Sequence, residues 1–102
     1  MKKYKVIVSN PAKKDIRDIY SYISNDLFSP EDASNLIRLI EKNIRSLDVM
    51  PERFRKYEKY KNKNIRICKV KNYLIFYDVN NDKDRVEVTR VLYSARNYDQ
   101  IF

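Results

Sequence analysis

None of the 102 residues is glycine, and this absence constrains the chain before any pattern is read. Glycine is the residue that reaches positive φ and lets backbone approach a ligand without steric cost. Gly-rich phosphate loops and dinucleotide fingerprints are therefore excluded, and turns have to be built from asparagine, aspartate and proline. Histidine is absent as well, which removes imidazole triads, two-His metal sites and the commonest general base near neutral pH. The single cysteine, Cys68, permits neither an intrachain disulfide nor a thiolate zinc cluster. It reads as a small core residue in a protein of a reducing compartment. No metal and no cofactor is expected.

The length suits one domain, 1–102, with one modest core. Val6-Ile7-Val8 is too short for a signal segment and nothing approaches a membrane span, so a cytoplasmic protein without membrane contact is expected. Lys and Arg number 22 against 14 Asp and Glu, a formal net charge of +8. Most of that excess lies in residues 52–71, where Lys and Arg outnumber Glu heavily.

The apolar pattern predicts a strand over Lys3–Ser9, stopped by Asn10-Pro11. A helix follows, capped by Ser9 or Asn10, with Ala12, Ile16, Ile19, Tyr20, Ile23 and Leu27 on its buried side and Lys13, Lys14, Arg17 and Asp18 in water. Ser29-Pro30-Glu31-Asp32 starts a second helix with a hydroxyl cap and acids in the first turn. Its stripe is Ala33, Leu36, Ile37, Ile40, Ile44 and Leu47, ended by Met50-Pro51. The short link around Phe28-Ser29 makes the two an antiparallel hairpin. After a loop over Glu52–Lys63 come a strand near Ile65–Val70, a turn in which Asn72 takes the left-handed conformation, a central strand Tyr73–Val79, a turn at Asn80–Lys83, and a last strand Arg85–Tyr93. The expected fold is α+β, a helical hairpin packed on one face of a largely antiparallel sheet.

The basic segment and the last half of the sheet are expected to gather Arg66, Lys69, Lys71, Arg90 and Arg96, interleaved with Tyr73, Tyr77, Tyr93 and Tyr98. Arg53 and Arg55 would add phosphate contacts. Cations neutralise phosphates, and tyrosine faces stack on unpaired bases for roughly 1–3 kcal/mol each. A solvated basic face, or an acidic protein partner, accounts for the same charge. Strict alternation puts Arg90 on one face with Val86, Val88 and Leu92, where it needs a partner: Asp78 or Glu87 as an ion pair, or a phosphate. If the substrate is RNA, its 2′-hydroxyl can attack the neighbouring phosphorus. Lys69 or a tyrosine would then serve as base, with Arg66 and Arg96 stabilising the developing charge.

Four segments together resemble the RelE/ParE superfamily of toxins from bacterial type II toxin–antitoxin modules. They are Asn10-Pro11-Ala12-Lys13-Lys14-Asp15-Ile16 through Ile23; Ser29-Pro30-Glu31-Asp32-Ala33; Ser46-Leu47 through Met50-Pro51-Glu52-Arg53-Phe54; and Val70 through Tyr77 with Arg90-Val91-Leu92-Tyr93-Ser94-Ala95-Arg96. The resemblance implies a growth-arresting toxin of a plasmid-stabilisation or addiction type, held by a cognate acidic antitoxin that wraps its basic surface. RelE-like members cut mRNA in the ribosomal A site without metal, and ParE-like members inhibit DNA gyrase without being nucleases. The leading expectation is the ribosome-dependent mRNA endonuclease, with Lys69, Arg66, Arg96 and Tyr98 catalytic and Arg53, Arg55, Lys71, Arg90 and Tyr93 binding nucleic acid; the alternative is the gyrase inhibitor. Departures from the nuclease pattern are Leu74, where many such members carry arginine, and Ala95 and Asn97 in the usual Tyr-Gly-Arg-Arg-Asp ending. The C-terminal tyrosine of nuclease members falls near Phe102.

Overall fold

A computed structural model describes residues 1–60 and 63–96. Strand β1 (Lys5–Val8) leads into helix α1 (Asn10–Ser21), a π-helical turn (Tyr22–Asp26) and helix α2 (Pro30–Arg45). Short 3-10 turns over Ser46–Asp48, Pro51–Arg53 and Glu58–Tyr60 precede β2 (Ile65–Val70), β3 (Tyr73–Asn80) and β4 (Arg85–Tyr93). The sheet order is β1-β4-β3-β2, with β1 parallel to β4 and the other pairs antiparallel. Among the described residues no helix is long and apolar enough to cross a membrane.

The amphipathic stripes decide the packing. Ala12 of α1 and Ile40, Ile44 and Leu47 of the second helical stretch close over Cys68, Val70, Ile75, Tyr77, Val79, Val86, Val88 and Val91 on one face of the sheet. Full burial of a side chain the size of Ile40 contributes about 1.5–3 kcal/mol. A smaller cluster of Tyr57, Ile67, Leu74, Phe76 and Leu92 lies on the opposite face.

Local chemistry sets the boundaries. Ser9 is the cap of α1: its Oγ accepts the Ala12 N–H at 3.2 Å. β1 starts later than the pattern predicts because the Tyr4 N–H donates to Asp48 O at 2.7 Å, outside the sheet. At α2 the expected hydroxyl cap is absent. The Ser29 Oγ instead donates to Asp32 Oδ2 at 2.7 Å. Tyr20 and Leu27, predicted to be buried, are exposed; for Leu27 the reason is that the helix widens after Ser21 into a π turn that shifts the face presented by the residues after it.

Without glycine, four residues among those described carry positive φ: Phe28 (53°), Met50 (46°), Lys71 (55°) and Asp84 (50°). Each left-handed residue costs roughly 1–2 kcal/mol. In the β2–β3 hairpin the left-handed residue is Lys71 and not Asn72. A two-residue turn with positive φ at its first central position matches the twist of the flanking strands, and residue 71 occupies that position.

A bulge in the β3–β4 ladder sets Phe76 opposite Arg90 and Tyr77 opposite Val88, leaving Thr89 unpaired. The Thr89 hydroxyl donates to Phe76 O at 3.1 Å. This extra residue reverses the alternation along β4. Val86, Val88 and Val91 share the helix-facing cluster while Leu92 lies in the other, so Arg90 does not share a face with all three predicted neighbours.

Candidate functional site

β1 ends opposite Val88, so the second half of β4 has no strand on its outer edge. Asp15 of α1 fills that place. Its Oδ2 accepts the Val91 N–H at 2.9 Å and the Arg90 Nε at 2.7 Å, and its Oδ1 accepts Arg90 Nη2 at 2.9 Å. Asp15 is the one buried charged residue among those described. The carboxylate beside Arg90 pushes the guanidinium pKa above its ordinary value. The partner predicted for Arg90 was Asp78 or Glu87; the bulge and the missing edge strand give it Asp15. Nothing in the helical pattern singled out Asp15, which was assigned to neither the buried nor the wet side of α1.

Beyond this pair, the helix-facing side of the sheet continues past the cover of the hairpin and opens a cleft of about 700 Å³. Tyr73 and Tyr93, paired across β3 and β4, meet edge to face at 5.6 Å. Ile19, Tyr22, Ile23 and Leu27 line the helical wall, with Lys71, Asn72 and Arg96 at the sheet end. Burial, then the neighbouring Tyr93 and Tyr22, pushes the Tyr73 phenol above its ordinary pKa. Tyr73 is thus a stacking and hydrogen-bonding group and a poor proton acceptor at neutral pH.

The remaining predicted cations lie elsewhere. Arg66, at the other end of β2, is held by the chain itself: Nε donates to Asn64 Oδ1 (2.9 Å), and Nη1 to the carbonyls of Glu52 (3.0 Å) and Phe54 (2.8 Å). Its Nη2 lies 3.5 Å from Glu52 Oε2. The Asn64 amide and then Arg66's charge are among the groups that hold the Glu52 carboxyl below its usual pKa, the Asn64 hydrogen bond most of all. Arg53 staples the end of the second helical stretch, donating to the carbonyls of Val49 (2.8 Å), Met50 (3.0 Å) and Ser46 (3.3 Å) and to Ser46 Oγ (2.9 Å). Arg55 is exposed, and its carbonyl accepts the Ile67 N–H at 3.0 Å. Lys69 is exposed, in register with Leu74 and two residues along β2 from Ile67, which puts it with them on the face away from the helices.

Tyr77, expected among the accessible tyrosines, is fully buried and its hydroxyl donates to Pro51 O at 2.6 Å; burial pushes its pKa up. Burial raises the Cys68 thiol likewise, which leaves it a core residue without thiolate character. Tyr98 lies outside the described residues, as do Asn97 and Phe102. Thus Lys71, Tyr93 and Arg96 come together around the cleft with Arg90 behind them, while Arg53 and Arg66 serve the loop that ends in β2. Among the described residues no three His, Cys, Asp or Glu side chains gather as a metal set.

The family model for the ParE toxin of type II toxin–antitoxin systems matches residues 6–98, and the chain belongs to that family. The fold is similar to that of the chromosomal ParDE toxin–antitoxin system from P. aeruginosa, at 14% identity and a TM-score of 0.74, covering 91% of this chain and 98% of that one. It is also similar to a double arginine-to-alanine mutant of E. coli toxin RelE in the free state, at 16% identity and a TM-score of 0.70, covering 97% and 92%. A third similar structure is the RelBE2 toxin–antitoxin complex from Mycobacterium tuberculosis, at 18% identity and a TM-score of 0.64, covering 94% and 97%. No curated protein matches the chain.

Proposed function

We propose that this chain arrests growth by binding DNA gyrase, as a non-catalytic ParE-like toxin, and that a cognate acidic antitoxin holds it in check. The observation that carries the reading is the division of the cations. RNA cleavage by 2′-hydroxyl attack needs a base, a proton donor and charge stabilisation within reach of one phosphate. Arg66 spends its donors on Glu52, Phe54 and Asn64, Arg90 is neutralised by Asp15, and Lys69 and Arg66 project from β2 at positions of opposite parity. Leu74, at the position where nuclease members carry arginine, is buried in an apolar cluster.

A net charge of +8 favours an acidic antitoxin, and the similar structures include toxin–antitoxin assemblies. The test is inhibition of supercoiling by purified gyrase in the presence of purified chain. Inhibition at near-stoichiometric ratio is expected, and full supercoiling at tenfold excess contradicts the reading.

One observation favours the ribosomal alternative. Lys71 and Arg96 flank two tyrosine rings at the cleft, a combination suited to an RNA backbone and its bases. Under that reading Arg96 contacts the scissile phosphate, and Arg96→Ala abolishes toxicity with the fold intact.

A further inference from the structure

The tip of the helical hairpin is chemically unlike the rest of the chain. Phe28 is 88% exposed and sits at φ 53°, a conformation that a bulky residue keeps only when its surroundings impose it. The imposing bonds flank the ring: the Leu27 N–H donates to Tyr22 O at 3.1 Å and the Ser29 N–H to Ile23 O at 3.0 Å. Glycine closes such a helix end without strain, and Phe28 belongs to neither apolar cluster. Leu27 and Tyr22, each about half exposed, continue the apolar surface beside it.

Around this tip stand Asp26, Glu31 and Asp32, all exposed, and residues 24–32 contain no Lys or Arg. On a chain of net charge +8, the segment that offers an outward aromatic ring carries only negative charge among its own residues; Lys71 and Arg96 share the cleft that Tyr22 and Leu27 line, but neither belongs to the tip. The positive end of α2 accounts for Glu31 and Asp32. It accounts for neither Asp26 nor the ring.

We infer that this tip grips the toxin's target, and that it fits a cationic protein surface with an apolar pocket. Charge decides the occupant. An acidic antitoxin segment or a nucleic acid is repelled by three carboxylates, whereas a Lys- and Arg-rimmed pocket attracts them while Phe28 and Leu27 are buried as anchors. The bonded turn holds the ring outward in advance, so little ordering cost remains on binding. The inference rests on the reading that growth is arrested by holding a protein target, and adds the part of the surface that does so.

The experiment induces wild type, Phe28→Gly, Phe28→Tyr and Asp26→Lys in cells, counts surviving colonies, and follows each purified protein by circular dichroism on heating and by sedimentation. Glycine takes φ 53° freely, so Phe28→Gly is expected to melt no lower than wild type while survival rises at least tenfold. Asp26→Lys is expected to raise survival at least threefold, and Phe28→Tyr to leave arrest in place. Undiminished arrest by Phe28→Gly overturns the inference alone, as does self-association of wild type that is lost in Phe28→Gly, which would assign the tip to a second copy. A wild type that does not arrest growth removes the proposed function and the inference together.

Discussion

Asp15 holds Arg90 across 75 residues of sequence, with both carboxylate oxygens engaged and the Val91 N–H as a third donor. The pair fastens α1 to the part of β4 that β1 does not cover, and so fixes the floor of the cleft relative to its helical wall. It also removes Arg90 from the free cations available to a phosphate.

Truncating one member of such a partly buried pair leaves the other charge unpaired, at a cost of about 3–5 kcal/mol. Asp15→Ala is therefore expected to lower unfolding stability by about 3 kcal/mol in urea melts. The double variant with Arg90→Met is expected to recover part of the loss, because no buried charge is then left alone. An Asp15→Ala loss below about 1 kcal/mol contradicts the fastening role.

The left-handed residues make a second prediction. Lys71→Gly is expected to raise stability by roughly 1 kcal/mol, since glycine takes φ 55° without the Cβ clash. Thermal melts of the single variant read the effect. A loss of stability would mean that the lysine stem contributes packing worth more than the strain.

The Tyr77 hydroxyl links the centre of β3 to the start of the basic loop, through Pro51 O. Tyr77→Phe leaves that carbonyl without its donor inside the core, which costs about 1–3 kcal/mol. Equilibrium unfolding in urea tests this, and an unchanged midpoint contradicts it.

Glu52 gives a pH dependence with a defined sign. Its folded pKa lies below its ordinary value, chiefly through the Asn64 hydrogen bond. The stabilisation it supplies is complete above the unfolded carboxyl pKa near 4.5 and is lost as pH falls through the lower folded value. Glu52→Gln is expected to flatten the stability profile between about pH 5 and 3 and to leave the slope at neutral pH unchanged. An unaltered acid limb in that variant would place the titration elsewhere.

Much of the fold was legible because its signals are local. The stripe from Ala33 to Leu47 has one reading, Ser9-Asn10-Pro11 starts a helix, and β2 and β4 end where the apolar pattern ends. What was not legible depends on contacts distant in sequence. The Thr89 bulge reverses the face of every later residue of β4 without leaving a mark in the alternation. Arg66 and Arg53 read as free cations because their acceptors are mainly backbone carbonyls, which have no sequence signature. Asp15 was not singled out in the helical pattern, and only the shortness of β1 made the edge of β4 available to it. Lys71 and Arg96 follow strands whose ends were readable, which places both at the cleft.

The most direct test follows thymidine and methionine incorporation in the minutes after induction of the chain alone. A gyrase-binding toxin stops replication first, so thymidine incorporation is expected to fall while methionine incorporation continues. An early fall in methionine incorporation, with cleaved mRNA and replication still running, contradicts the proposal and returns the cleft at Lys71, Tyr93 and Arg96 to the role of an RNA site.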